Sequence, residues 1–202
     1  MSSEPGTRLS YEDSCRLLQR HGYLDAGAEG VIPPMPSHRP QVGDEGPLGV
    51  SFFSTWVGVG RPFGLQPSPG LPWEDVPEHA LENLTLPRTF FGRSEISSIS
   101  FKNSDLSEST LCWNNFIEVN FTDADLSESD LRASIFKRVA FVRTNLRNAD
   151  LRRSRFEDCD FTVAEMQRAK MTREQGIQIK LSDQQKRVID WQASEGDEPP
   201  GG

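Results

Sequence analysis

The sequence predicts an all-β solenoid, on the strength of two superimposed periods and one recurring small residue. From Phe91 to Met171 a large apolar residue falls on every fifth position: Phe91, Ile96, Phe101, Leu106, Leu111, Phe116, Phe121, Leu126, Leu131, Phe136, Phe141, Leu146, Leu151, Phe156, Phe161, Met166, Met171. That spacing matches neither the turn of a helix nor the alternation of a strand. It describes short units that each add one large residue to a core buried only by stacking on neighbours. Written at intervals of twenty, the same residues fall into four columns, two almost entirely Phe and two almost entirely Leu. Like then stacks on like, as coils of constant length require. Two positions before nearly every column residue stands a small or short side chain, among them Ser104, Ser109, Asn114, Ala124, Ser129, Ser134, Thr144, Ala149, Ser154 and Cys159.

Residues 1–90 read as an N-terminal arm. Ser10 is placed to cap a short helix near 10–24, with Glu12 and Asp13 in its first turn, an apolar face of Tyr11, Leu17 and Leu18, and Gly27 and Gly30 beyond its end. Eleven of the fourteen prolines lie between Val31 and Pro87, which argues against long regular elements there. The exception is a β-branched and aromatic stretch near 49–59, Gly49 to Val59, which reads as a strand.

Residues 91–171 are the repeat domain. Its units Ser-Asp-Leu-Ser-Glu (104–108), Ala-Asp-Leu-Ser-Glu (124–128), Thr-Asn-Leu-Arg-Asn (144–148) and Ala-Asp-Leu-Arg-Arg (149–153) resemble the pentapeptide-repeat family, whose consensus is Ala-(Asp/Asn)-Leu-x-x. The resemblance implies a right-handed quadrilateral β-helix, one unit per side. Roughly four coils at the spacing of adjacent strands make a rod on the order of 20 Å long. Each buried Leu or Phe is worth about 1.5–3 kcal/mol, so a charge at Phe121 or Phe136 should unfold it.

Residues 172–191 read as C-terminal capping helices. Thr172 with Gln175, and Ser182 with Gln185, are capping-box patterns, and Ile177, Ile179, Leu181, Val188, Ile189 and Trp191 supply apolar cover for the last coil. Residues 192–202 have the composition of an acidic, disordered tail. A monomer is favoured, with an end-to-end dimer through Val188, Ile189 and Trp191 as the alternative.

Composition narrows function. The net charge of −8 divides into −5 for residues 1–90 (11 acids, 6 bases), −1 for the repeats (13 acids, 12 bases) and −2 for the remainder (6 acids, 4 bases). No basic domain tracks a phosphate backbone, so nucleic acid is not an expected partner. Cys15, Cys112 and Cys159 lack metal-ligand spacing, and Cys159 sits at a small inward position, where a free thiol acts as core filler. With no leader-like start and no long apolar run, a cytoplasmic protein outside any membrane is expected. His21, His38 and His79 lie outside the repeats in no catalytic pattern, and no phosphate-binding glycine loop is present. The recurring Asp105, Asp125, Asn145 and Asp150 suit local turn hydrogen bonds. The expected protein is therefore not an enzyme, and carries no cofactor and no metal.

What remains is a recognition surface. Acids dominate between Lys102 and Asp130, and bases between Arg132 and Arg155. The sequence thus suggests an acidic half and a basic half, with Glu118, Arg138 and Asp158 forming a ladder across coils and Arg132, Arg152 and Arg153 concentrating positive charge. Such a rod docks an unidentified protein through complementary patches. The candidate contacts are Arg132, Arg147, Arg152, Arg153, Arg155 and Trp113. Against this stands the reading that the charges only solvate the rod. The outward apolar residues Cys112, Trp113, Ile117 and Ile135 are expected either to be covered by the arm or to meet the partner. The family resemblance adds one alternative, a DNA mimic or self-resistance protein that shields DNA gyrase or another target. The basic half fits that poorly, because it would repel a DNA-binding saddle.

Overall fold

The computed structural model describes residues 6–20, 32, 34–40, 81–90 and 95–193. Residues 21–24 of the expected helix, the expected strand near 49–59, Phe91, His21, His79 and residues 194–202 of the expected tail lie outside the described residues.

The twenty-residue period becomes stacking. Strands β1 (Glu95–Ser97), β2 (Asn115–Ile117), β3 (Ile135–Lys137) and β4 (Arg155–Glu157) form one parallel sheet in which Ile96 pairs with Phe116, Phe116 with Phe136 and Phe136 with Phe156. Isolated parallel bridges mark the other three sides at the same interval: Asn120 with Ala140, Asp125 with Asn145, and Asp130 with Asp150. Between the sides the chain turns at residues of positive φ, one in every five, including Asn103, Glu108, Trp113, Glu118, Asp123 and Val163. Many of these corners are closed by a hydrogen bond across the turn, such as Ser104 N–H to Phe101 O at 3.0 Å. A positive φ at the third residue is what such a turn demands, and side chains other than glycine bear it at a cost of about 1–2 kcal/mol each.

Inside, Phe101, Leu106, Leu111, Phe116, Phe121, Leu126, Leu131, Phe136, Phe141, Leu146, Leu151, Phe156, Phe161 and Met166 are all buried. Phe116, Phe136 and Phe156 stack with ring centroids 5.0 and 5.4 Å apart, and Phe101, Phe121, Phe141 and Phe161 at 5.4, 5.6 and 4.7 Å. The two Phe columns meet edge to face, as between Phe136 and Phe141 at 5.4 Å.

The small residues do more than leave room. Buried backbone needs partners, and the hydroxyls of Ser104, Ser129, Thr144 and Ser154 donate to the carbonyls of Leu81, Leu106, Phe121 and Leu131 one coil back, at 2.7–2.9 Å. The same oxygens accept: Ser134 N–H donates to Ser154 Oγ at 3.1 Å. Cys159 fits this scheme, its thiol donating to Phe136 O at 3.3 Å.

The stack is longer than the expected 91–171. Leu81, Leu84 and Leu86 are buried, Leu86 N–H donates to Asp105 O, and Thr85 bridges Asp105. Leu84 stands where a small residue is usual because helix α1 (Tyr11–Arg20) covers that end, burying Tyr11, Ser14, Cys15 and Leu18. Ser10 Oγ caps α1 by accepting from Asp13 N–H, and Ser14 Oγ accepts from Thr85 N–H at 2.9 Å, as serine hydroxyls do between coils further along the stack.

At the other end β5 (Lys170–Thr172) is followed by α2 (Arg173–Ile177) and α3 (Asp183–Val188), and then by a strand, β6 (Asp190–Gln192), where helix or tail was expected. β6 pairs with β5 in parallel, Met171 with Trp191, so the twenty-residue interval outlasts the five-residue one. Both capping boxes are present, and each glutamine also reaches beyond its own box. Gln175 Nε2 donates to Leu151 O and Ser154 O, and Gln185 Nε2 to Phe161 O and Ala164 O, at 2.7–3.0 Å. These carbonyls face the side where a further coil would supply hydroxyls. Trp191 folds back: its Nε1 donates to Lys186 O, and its ring lies so close to Gly176 that an added Cβ would stand 2.6 Å from Cη2. Ile189 is buried and Trp191 packs on its own chain, while Val188 is 38% exposed.

Candidate protein-recognition surface

The register brings five of the six candidate contacts to one edge of the rod. Trp113, Ala133 and Arg153 occupy one corner column; Arg132 and Arg152 lie on the side before it, and Ile135 and Arg155 on β3 and β4 after it. Arg147 falls between the bridge at Asn145 and the corner at Asn148, on the face opposite β1–β4. Trp113 is 56% exposed and Ile135 43% exposed, with Ile117 partly covered beside them. Cys112, expected to face outward, is buried and lies one layer from Arg132.

Among the described residues no part of the arm covers this patch, and the stretch near 49–59 lies outside them. Residues 34–40 of the arm engage Arg88, Thr110 and Glu128, at the other edge of the neighbouring face. A proline-rich segment offers carbonyl acceptors and few N–H donors, so it settles where side-chain donors such as Arg88 and Thr110 point outward.

The expected acidic and basic halves do not survive as separate halves. Because one is laid on the other at twenty-residue steps, opposite charges meet across layers: Arg88 with Glu108, Glu118 with Arg138, and Asp123 with Arg143, at 2.6–2.9 Å. All three pairs join corner residues. The Arg143 hydrogen bonds hold the Asp123 carboxyl below its ordinary value, as Arg88 does for Glu108 and Arg138 for Glu118. Arg132 and Arg152 each reach back two residues in bidentate pairs with Asp130 and Asp150. Burial pushes the Asp150 carboxyl up, but the Arg152 hydrogen bonds, with Arg132 beyond, leave it below its ordinary value. The positive charge of these two arginines is therefore partly neutralised in place. Arg147, Arg153 and Arg155 are exposed.

The recurring Asp and Asn residues make turns. Oδ1 of Asp105, Asn120, Asp125, Asn145 and Asp160 accepts from the N–H two residues on, at 2.9–3.2 Å. Among the described residues no group of three or more His, Cys, Asp or Glu is arranged to hold a metal ion.

Residues 94–132 and 134–173 match the sequence profile of the pentapeptide repeats, in eight copies. The repeat region belongs to the pentapeptide-repeat family. Pentapeptide repeats fold as right-handed quadrilateral β-helices, and the parallel stacking here is of that kind. Proteins built from them are generally structural or non-catalytic.

Several solved pentapeptide-repeat structures are similar. HetL, involved in heterocyst differentiation regulation in the cyanobacterium Nostoc, is 19% identical over 45% of this chain, with a TM-score of 0.43. The match spans 41% of HetL, so well under two thirds of that protein is represented. A pentapeptide repeat protein of the Arabidopsis thaliana thylakoid lumen is 23% identical over 58% of this chain and 84% of its own, with a TM-score of 0.30. QnrB1, a plasmid-mediated fluoroquinolone resistance protein, is 13% identical over 55% of this chain and 76% of its own, with a TM-score of 0.21. No curated protein matches the chain by sequence.

Among the described residues no helix is long and apolar enough to cross a membrane.

Proposed function

We propose that this chain is a non-catalytic protein-recognition module: a monomeric, cytoplasmic rod that meets a partner protein at the Trp113 corner. The supporting observation is the exposed indole of Trp113, 56% accessible at a corner, where other columns carry the ion pairs Arg88–Glu108, Glu118–Arg138 and Asp123–Arg143. Trp and Arg are the residues that most often anchor interfaces, and a rigid aromatic loses little entropy on docking. Ile135 and Ile117 extend the apolar centre, and Arg153 and Arg155 supply a basic rim. The complementary partner is an apolar segment flanked by acids. The alternating signs at the other corners run against a mimic of duplex DNA, which needs a uniformly acidic surface.

Affinity capture from source-cell lysate tests this, comparing wild type, a Trp113→Ala/Ile135→Asn variant and an Arg147→Glu control on the opposite face. A protein retained by wild type and the control but lost by the double variant supports the reading. Loss with Arg147→Glu, and retention by the double variant, would overturn it.

A further inference from the structure

Residues 34–40, Pro-Met-Pro-Ser-His-Arg-Pro, lie against a face the Trp113 corner does not use. Three body side chains aim donors at three proline carbonyls of this stretch. Tyr11 Oη donates to Pro34 O at 3.4 Å, Arg88 Nη1 to Pro36 O at 2.9 Å, and Thr110 Oγ1 to Pro40 O. In return the Arg39 guanidinium donates to the Glu128 carbonyl. Arg88 is held in the orientation this contact needs, because its Nε and Nη2 bind the Glu108 carboxylate at 3.1 and 2.9 Å and so direct Nη1 to the peptide.

Such an array has a definite complement. Proline fixes φ and removes N–H donors, so a proline-rich segment is extended at little entropic cost and presents its carbonyls outward. A receptor for it needs spaced donors, and the Tyr11 hydroxyl, Arg88 and Thr110 supply them. The acids on this side, Glu108 and Glu128, complement a basic residue in the ligand, the position Arg39 takes. Met35 is 44% exposed, and Ser37 and His38 are exposed, so the stretch is laid on the surface by its carbonyls and not buried in the core.

We propose that the face formed by Tyr11, Arg88, Thr110 and Glu128 is a binding site for a proline-rich, arginine-bearing extended segment of a partner protein, occupied here in cis by residues 34–40. The arm is then a resident competitor at an effective concentration in the millimolar range, which a partner segment of the same chemistry must displace.

The test is a fluorescein-labelled synthetic peptide with the sequence of residues 32–41, followed by anisotropy against the full chain. The arm is weakened in a full-length Pro36→Gly/Arg39→Glu/Pro40→Gly variant, whose far-UV circular dichroism reports folding. Binding to this variant about tenfold or more tighter than to wild type is expected, once the cis competitor is lost. Adding Arg88→Ala should weaken it by about tenfold, the loss of a charged hydrogen bond. A folded variant that does not bind, or binding indifferent to Arg88→Ala, overturns the proposal. A second readout needs no variant: excess peptide on wild type must move the NMR amide resonances of Met35, Ser37, His38 and Arg39 toward those of the free peptide. Unchanged resonances at saturating peptide overturn it equally.

Discussion

Gln185→Glu separates two roles that one side chain combines at the C-terminal end. Oε1 accepts from Ser182 N–H at 2.9 Å, completing a capping box, while Nε2 donates to Phe161 O at 2.8 Å and Ala164 O at 3.0 Å. Glutamate is as good as glutamine in a capping box, so a pure capping role predicts a change below about 0.5 kcal/mol. The sealing role predicts otherwise, because glutamate keeps the acceptor and loses both donors. Gln185 is 8% exposed, so the Ala164 carbonyl would be left without its partner and Phe161 O with only the turn hydrogen bond from Ala164 N–H, both facing a carboxylate. At about 1–3 kcal/mol for an unsatisfied group, with the added repulsion of the carboxylate, the expected loss is about 2–4 kcal/mol. Urea unfolding followed by far-UV circular dichroism near neutral pH measures it. Part of the loss should return in acid, where a protonated carboxyl can again donate one hydrogen bond. A variant as stable as wild type to within about 0.5 kcal/mol near neutral pH would refute the sealing argument.

Further outcomes follow from the same geometry. Phe136 stacks on both sides, whereas among the described residues Phe156 has a stacked ring only at Phe136. Phe136→Ala should therefore cost about 4–5 kcal/mol and Phe156→Ala about 3, by chemical denaturation; equal costs would deny the stacking contribution. Val163 bears a φ of 57° and is 70% exposed, a poor place for a β-branched side chain. Val163→Asn should raise stability by about 0.5–1 kcal/mol, and a loss would contradict the strain argument. Trp113→Ala should change stability by less than about 0.5 kcal/mol, since the ring is largely in solvent; a loss of several would show that it is covered. Asp123 and Glu108 titrate below their ordinary values because Arg143 and Arg88 bind their charged forms. Their contribution is full above the unfolded carboxylate range and is lost as pH falls through the depressed folded values. Stability should be level near neutrality and fall in acid, and Arg143→Met should shrink that fall in urea midpoints, an unchanged profile counting against the pairing.

The core was legible because its large residues recur at constant spacing, and neither Phe nor Leu stacking needs more than that. The ends were less so, for identifiable reasons. Leu81 and Leu86 keep the five-residue phase, but a proline-rich stretch precedes them and Leu84 breaks the small-residue rule where α1 packs on it. β6 is invisible to the five-residue pattern because α2 and α3 replace the intervening sides; only the twenty-residue step from Met171 to Trp191 betrays it. The sealing role of Gln175 and Gln185 had one signal, glutamine and not glutamate in both capping boxes. At the surface, counting charges along the chain suggested halves, whereas stacking joins Glu118 to Arg138 and Asp123 to Arg143. The same step separates Arg147 from the other candidates and sets Trp113 above Arg153. The arm's docking site could not be read from sequence, because its partners are backbone carbonyls, whose direction no residue pattern encodes.

Recognition by a preformed corner is tested most directly by amide exchange on the free chain and on its purified complex with the captured partner. The account predicts slowed exchange in residues 112–117, 132–137 and 152–157, with the rest of the rod unchanged, as rigid docking requires. Protection confined to the opposite face around Arg147, or altered exchange along the whole stack, would contradict it.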